Sequence, residues 1–232
     1  MDAGASIPDA PMRVADLLPV LFAFDDAVVA MAADQVTNHG ANISCRAGCG
    51  ACCRQLVPVS EAEAIYLAGL VSQLPEDAQT PVRARFREAA AALESLLPEL
   101  RNTPKLTTTE QCRDLGMRYF ALGVPCPFLE DERCSIHPYR PTRCREYLVV
   151  SPALNCARPT AETIQAVHVP VKLSEILYRF DDGMGRGNTR WIPLVLALEW
   201  AEQKKDEPQK YFPGPALFQN FVARAKAQEP VD

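Results

Sequence analysis

The chain has 232 residues, enough for one sizeable domain and too few for two large ones. Apolar residues make up 48% and charged residues 23%, a composition that supports a buried core and excludes a disordered tail. The 29 acidic residues outnumber the 24 basic ones, so a net charge of −5 offers no general attraction for nucleic-acid phosphates. We therefore expect one domain spanning residues 1–232, with no nucleic-acid partner.

The N-terminal segment carries Asp2 and Asp9 where a secretory signal would carry positive charge. The longest apolar tracts, residues 17–33 and 191–201, are interrupted by acidic residues, and we expect neither to span a membrane. These features predict a cytoplasmic protein with no membrane partner. In a reducing compartment, clustered cysteines are more often metal ligands or catalytic groups than disulfides.

Helical patterns occur almost everywhere except around the cysteines. The most specific is a capping box, in which Ser60 is followed by Glu63 and then by an apolar run. Helices are predicted at 14–36, from 60 onward, at 82–97 with Pro98 as the stop, and at 108–122, 174–180, 189–204 and 216–227. Short strands are predicted at 56–59, 127–129 and 147–150.

The predicted fold class is therefore mainly α with little β. We expect an irregular, cysteine-rich and metal-centred core over residues 45–156, with helical flanks at residues 1–44 and 157–232. Irregular chain with few core residues needs another crosslink to hold its shape, and a metal can supply it.

Nine cysteines beside only three histidines are the unusual feature of the composition. Four of them fall within residues 45–53, where Gly48 and Gly50 favour a turn, although a helix would also gather these thiols on one face. In the second group, a turn at residues 130–133 is expected to bring Cys126 and Cys134 together. No packing role requires cysteines at this density.

The thiol count leaves the type of metal centre open. Tetrahedral zinc takes four thiolates, and an iron–sulfur cubane also takes four. Eight clustered thiols therefore suit two single ions, one cluster with spare thiols, or a bridged pair. The expected cofactor is zinc or an iron–sulfur cluster. Arginines that can offset thiolate charge stand beside the cysteines, at Arg46, Arg54, Arg133, Arg140, Arg143 and Arg145.

Several short motifs resemble the YkgJ-type cysteine-cluster (CxxCxxCC) family of zinc- or iron-chelating domain proteins. They are CxxxCGxCC at residues 45–53, CPFL from Cys126, CSIH from Cys134, RP at 140–141 and CR at 144–145. The likeness covers about residues 45–156. It implies eight metal-linked cysteines, which match Cys45, Cys49, Cys52, Cys53, Cys126, Cys134, Cys144 and Cys156.

Two residues near these motifs need separate interpretations. Cys112 falls outside the family pattern and lies in a predicted amphipathic helix, so we expect a small buried residue there. His137 stands where the family usually has tyrosine, three residues beyond Cys134, and is a further candidate ligand.

The leading functional hypothesis is a metal-binding protein that holds zinc or an iron–sulfur cluster through clustered thiolates. The family also includes flagellin lysine N-methylases, so the resemblance implies a protein-modifying enzyme as one alternative. Another is a metal-stapled module that docks a protein partner. The spacing Cys45-x3-Cys49-x2-Cys52 is shared with radical S-adenosylmethionine enzymes, but the strand–helix alternation of their barrels is missing.

Overall fold

Helices make up most of the fold. The computed structural model describes residues 7–103, 108–160, 162–185, 187 and 189–228, and 57% of these residues are helical. The nine α-helices in these ranges are α1 Val14–Asn38, α2 Glu61–Ser72, α3 Glu76–Ala92, α4 Leu97–Leu100, α5 Thr109–Ala121, α6 Thr142–Arg145, α7 Leu173–Leu177, α8 Ala197–Gln203 and α9 Gly214–Ala227. None of the described helices has both the length and the apolar character of a membrane span.

In the described residues, each strand has two residues and pairs with one other strand. The three antiparallel ribbons are β1 Pro11–Met12 with β6 Phe212–Pro213, β2 Pro58–Val59 with β5 Ile192–Pro193, and β3 Leu129–Glu130 with β4 Arg133–Cys134. The predicted mainly α fold with little β is thus confirmed.

Local hydrogen bonds start two helices where the sequence predicts them. The hydroxyl of Ser60 accepts from the Glu63 amide at 3.2 Å, and the Glu63 carboxylate accepts from the Ser60 amide at 2.8 Å. Thr108 and Gln111 make the same reciprocal pair at the start of α5. Such boxes are legible in a sequence because every partner lies within one turn.

Prolines change the bounds of two other predicted helices. Pro98 does not end a helix but lies in the first turn of α4, where its missing N–H group is not needed. The segment predicted as a helix at 189–204 starts as strand β5, because the residue before Pro193 is restricted to extended backbone. Only Ala197–Gln203 of that segment is α-helical.

Apolar side chains form three clusters. The largest lies between α2, α3, α5, α8 and the β3–β4 hairpin, and Cys126 and Cys134 pack against it. A second cluster joins α1, α7 and α9 around Leu21, Leu177 and Phe221. The third is small and joins α1 to residues 167–169. Part of the cysteine region therefore rests on the main core.

Buried polar contacts fix α6 to its neighbours. The amide and hydroxyl of Thr142 both donate to Glu63 Oε1 at 2.8 Å. Just past the other end of α6, the Glu146 carboxylate accepts from the amide and the hydroxyl of Ser174 at 2.9 and 2.5 Å. All four residues are buried, where a carboxylate is stable only when it is hydrogen-bonded. These bonds hold α6 between α2 and α7.

Asp25 is a buried carboxyl group without compensation. It is 0% exposed on α1, and neither of its oxygens accepts a hydrogen bond from the described residues. Burial, together with the negative charge of Glu146, raises the pKa of Asp25 to about 8, and Arg145 only partly counteracts this. The folded protein therefore keeps a proton on Asp25 at pH 7.

We expect Asp25→Asn to stabilise the protein and to flatten its pH dependence. Because the folded state holds a proton that the unfolded state releases near pH 4, stability falls as pH rises from about 4 to 8, by up to roughly 1.4 kcal/mol per unit. Asparagine removes that slope but keeps an unpaired amide, so the net gain at pH 7 should be about 1–3 kcal/mol. Urea denaturation at several pH values measures both effects.

The exposed Asp34 on the same helix provides the matched control. Asp34→Asn should change neither the stability at pH 7 nor its slope with pH. A destabilised Asp25→Asn variant that keeps the wild-type slope would show that Asp25 is ionised in the folded protein.

Candidate metal centre

The first cysteine group lies in a loop rather than on a helical face. Gly48 has a φ of +83°, in the left-handed region that favours glycine, and the 3₁₀ turn Ala51–Arg54 carries Cys52 and Cys53. Of the two geometries that the sequence allows, the glycine turn is therefore the one that forms. Before the loop, the Ser44 amide donates to the Val149 carbonyl at 2.9 Å.

The second cysteine group is organised by the β3–β4 hairpin. Its turn residues Asp131 and Glu132 have φ values of 49° and 59°, the conformation that suits tight hairpins. Leu129 pairs with Cys134 across the hairpin, and the Leu129 amide donates to the Cys126 carbonyl at 2.8 Å. The predicted turn is confirmed, and it brings Cys126 and Cys134 close together.

The two groups lie side by side. The Cys126 amide donates to the Cys53 carbonyl at 2.7 Å, which joins the hairpin segment to the first loop. Beside this bond, the Arg54 guanidinium donates to both oxygens of Glu132, at 3.0 and 2.6 Å. The sulfur-bearing stretches therefore converge although they are more than 70 positions apart in sequence.

Gly50 permits this close approach. A methyl group at Gly50 would overlap the Glu132 carboxylate and come within 2.8 Å of a Leu129 methyl group. We expect Gly50→Ala to displace Glu132 from Arg54 and to cost about 1–2 kcal/mol, at the lower end of overpacking penalties. Gly69 on α2 has open space around it, so Gly69→Ala should instead stabilise the protein slightly.

Urea midpoints of the two alanine variants test this expectation. Equal stability of Gly50→Ala and wild type would mean that the loop and hairpin have room to separate. A loss in both variants would point to a general intolerance of added methyl groups.

Three thiols, Cys126, Cys134 and Cys144, form what we call the inner thiols. Burial raises the pKa of Cys144 well above its ordinary value, and the nearby thiols of Cys126, Cys52 and Cys134 raise it further. Burial raises the pKa of Cys126 to about 12, with Cys134 and Cys52 again as neighbours. Burial also raises the pKa of Cys134, and the neighbouring thiol of Cys52 adds to this. The inner thiols are thus neighbours of one another, and each is partly exposed to solvent.

Another three, Cys45, Cys49 and Cys156, form the outer thiols. Cys45 is exposed, Cys49 is half-buried, and Cys156 is buried at 4% exposure. Burial raises the pKa of Cys156, and the thiols of Cys45, Cys49 and Cys52 add to it. The 3₁₀ turn Ala153–Ala157, which carries Cys156, packs on the turn that carries Cys52.

Cys52 and Cys53, which we call the junction pair, lie between the inner and outer thiols. A hydrogen bond between their two side chains is the main cause that raises the pKa of Cys52, and burial adds to it. Cys52 is a neighbour of thiols from both groups. Cys52 is therefore the point at which a sulfur-rich region joins thiols of both groups.

Two further residues, Cys112 and His137, need separate description. Cys112, on α5, is half-buried rather than buried, so the expectation of a core position is wrong. His137 is exposed, and its ring nitrogens lie 2.9 and 2.8 Å from Nη1 of Arg140. Burial and the charge of Arg140 lower the pKa of His137, so its ring is neutral at pH 7.

The arginines near the cysteines have different roles. Burial and the charge of Arg145 lower the pKa of Arg140, which lies near Cys134 and Cys144 and so is placed to offset their charge when a metal deprotonates them. Arg54 is instead paired with Glu132. Arg145, which the sequence suggests for the same role, is a structural residue.

Arg145 is 1% exposed and bridges the loop before α6. Its guanidinium donates to the carbonyls of Arg140 and Pro138 at 2.8 and 2.6 Å and to Asp26 at 2.6 Å. It also lies over the Phe22 ring, 4.4 Å from the centroid. The sequence gives no sign of this tie, because Asp26 and Phe22 are distant in the chain and the two carbonyls reach Arg145 only through the path of the loop.

The donor chemistry of the region fits a soft metal ion. In the described residues, no set of three or more His, Cys, Asp and Glu side chains is already arranged to hold an ion. Several of the thiols are nonetheless neighbours, and thiolate sulfur is the ligand that zinc and iron–sulfur clusters prefer. Protonated thiols adopt ligand geometry only when they lose their protons to a metal.

A helical scaffold that joins two cysteine-bearing segments, as the bond between Cys126 and Cys53 does, is the arrangement of a cysteine-cluster protein. Residues 44–167, more than half of the chain, match the model of the CxxCxxCC family, described as a "putative zinc- or iron-chelating domain". The chain belongs to this family, as the cysteine motifs predict. No curated protein and no solved structure matches the chain.

Proposed function

We propose that the protein holds zinc or an iron–sulfur cluster through the thiolates of its eight clustered cysteines. The observation that carries the proposal is the convergence of inner and outer thiols on the junction pair. Thiols at this density have no packing use, and eight of them are enough for one or two sets of four thiolates around a soft metal. Membership of a family of chelating domains supports the same conclusion.

The surroundings favour bound thiolates. A four-thiolate zinc or cubane unit carries a formal charge near −2, so its burial requires cations and hydrogen-bond donors nearby. Arg140 lies next to two of the inner thiols and supplies such a charge. The bound group would provide strong crosslinks between segments that otherwise share only short strands and 3₁₀ turns.

The chain is further proposed to act as one domain, with residues 45–156 as the metal-binding core, in the reducing cytoplasm. Strand β1 near one end pairs with β6 near the other, and α6 bonds to α2 and α7, which supports a single unit. Nine free cysteines favour a reducing compartment, where thiols stay available for metal.

Anaerobic purification followed by elemental analysis tests the metal-binding function. We expect zinc or iron in a fixed ratio to protein, with acid-labile sulfide and visible absorption if the group is an iron–sulfur cluster. Cys112→Ser should retain the same amount, because Cys112 lies outside the sulfur-rich region. A folded wild-type protein that carries neither metal and takes up neither would refute the proposal.

A further inference from the structure

The helix α1 has apolar side chains on its solvent-facing side as well as on its core-facing side. A surface helix normally has one apolar stripe, which faces the core, and polar residues opposite it. The buried stripe of α1 includes Leu18, Leu21 and Val29. On the other side, Phe24 and Met31 are 37% and 63% exposed. The helix therefore has a second apolar face, which the described part of the chain leaves open to solvent.

This second face carries almost no charge. Between residues 19 and 33, the charged residues are Asp25 and Asp26. Asp25 is buried, and Asp26 already pairs with Arg145. The other exposed positions in this stretch are Pro19, Ala23, Phe24, Ala27, Ala30 and Met31. Such a face gains free energy when another apolar surface covers it.

The side chains of the second face are spaced for pairing with another helix. Val20, which is half-buried, is followed by Phe24, Ala27 and Met31, at intervals of four, three and four residues. Alternation of these intervals is typical of the seam between two coiled helices. We call these four residues the α1 seam. Because α1 is already folded on its own core, pairing does not have to pay for helix formation.

We infer that the α1 seam packs against the α1 seam of a second copy of this chain, in antiparallel orientation, to form a symmetric dimer. A two-fold axis between residues 25 and 26 places Phe24 of each copy against Ala27 of the other, so a large side chain meets a small one. The same axis brings Val20 opposite Met31. The seam is thus complementary to itself, and this favours a second copy over an unrelated partner.

Charges at the ends of the seam suit the antiparallel orientation. Arg13 lies at the N-terminal end of α1, and Asp34 is exposed near the C-terminal end. In an antiparallel pair, Asp34 of one copy lies near the N-terminal end of the other, where Arg13 and the helix dipole are positive. In a parallel pair, the two Asp34 carboxylates would face each other and repel.

The mass of the purified protein in solution tests the inference. It is measured by sedimentation velocity at several concentrations, with a non-thiol reductant present so that disulfides between chains do not form. We expect a dimer that dissociates on dilution, with a Kd of roughly micromolar order, because the seam is short. Met31→Glu should be a monomer, since it puts an unpaired carboxylate opposite Val20. Met117 on α5 is also an exposed helical methionine, at 48%, and Met117→Glu should dimerise like wild type.

Two further substitutions test the antiparallel register. Phe24→Ala leaves a gap opposite Ala27, and Ala27→Phe crowds two rings, so each should weaken dimerisation by about 10-fold or more. The double variant Phe24→Ala/Ala27→Phe exchanges the two positions and again places a ring against a methyl group. It should therefore dimerise more tightly than either single variant.

A wild-type chain that stays monomeric at high concentration would overturn the inference and leave the α1 seam to a different partner. A dimer that persists in Met31→Glu would place the interface elsewhere and overturn it as well. A double variant no tighter than the single ones would overturn the antiparallel register. These outcomes are distinguishable from failure of the proposed function, because no residue of the α1 seam is a candidate metal ligand.

Discussion

Replacing Arg145 with alanine should lower the free energy of unfolding by roughly 3–5 kcal/mol, the largest effect that we expect of a single substitution. Arg145 is 1% exposed, and its loss leaves the carbonyls of Arg140 and Pro138 without their donor in a part-buried loop. It also removes the cation that lies over Phe22. Urea denaturation of the purified variants measures the change.

Arg145→Lys should lose most of the same stability, because an ammonium group cannot reproduce the fork that reaches two carbonyls and Asp26. Arg133 is the matched control, since it is exposed and also next to a cysteine. Arg133→Ala should change stability by less than about 0.5 kcal/mol. A wild-type midpoint for Arg145→Ala would mean that the loop before α6 does not depend on the guanidinium.

Cys144→Ser should abolish tight metal binding by the inner thiols. Serine is nearly the same size as cysteine, but its hydroxyl is a poor ligand for a soft metal. Removing a residue that only hydrogen-bonds to a metal ligand weakens metal affinity by roughly 10–100-fold. Removing the ligand itself should weaken it more. Elemental analysis after desalting and a thermal melt with and without EDTA measure the loss.

We expect the melting temperature of Cys144→Ser to be insensitive to EDTA at the concentrations that destabilise wild type. Without the Cys144 thiolate, metal binding no longer stabilises the fold. Cys112→Ser should keep both the metal and the EDTA response of wild type. Full metal content in Cys144→Ser would remove Cys144 from the ligand set.

The approach of the cysteine groups could be predicted in part from sequence. The turn between Cys126 and Cys134 and the tight loop at Gly48 are local features, so neighbouring residues are enough to predict both. The bond between Cys126 and Cys53 joins segments far apart in the chain, and no local pattern encodes it.

Charged residues were the hardest to interpret from sequence. Asp25 and Asp26 are adjacent on α1 and look equivalent in the sequence. Within the described residues, however, buried Asp25 has no hydrogen-bond partner, whereas Asp26 pairs with Arg145. From the sequence, Arg145 looks like one of several arginines that stand next to a cysteine and offset its charge. Its carbonyl partners are set by the path of the loop before α6, which depends on contacts across the fold.

X-ray absorption at the zinc or iron edge of the anaerobically purified protein tests the metal centre most directly, because it identifies the atoms bound to the metal. We expect a coordination shell of sulfur, with zinc–sulfur distances of about 2.3 Å if the metal is zinc. A shell dominated by nitrogen and oxygen would contradict a centre built from clustered thiolates.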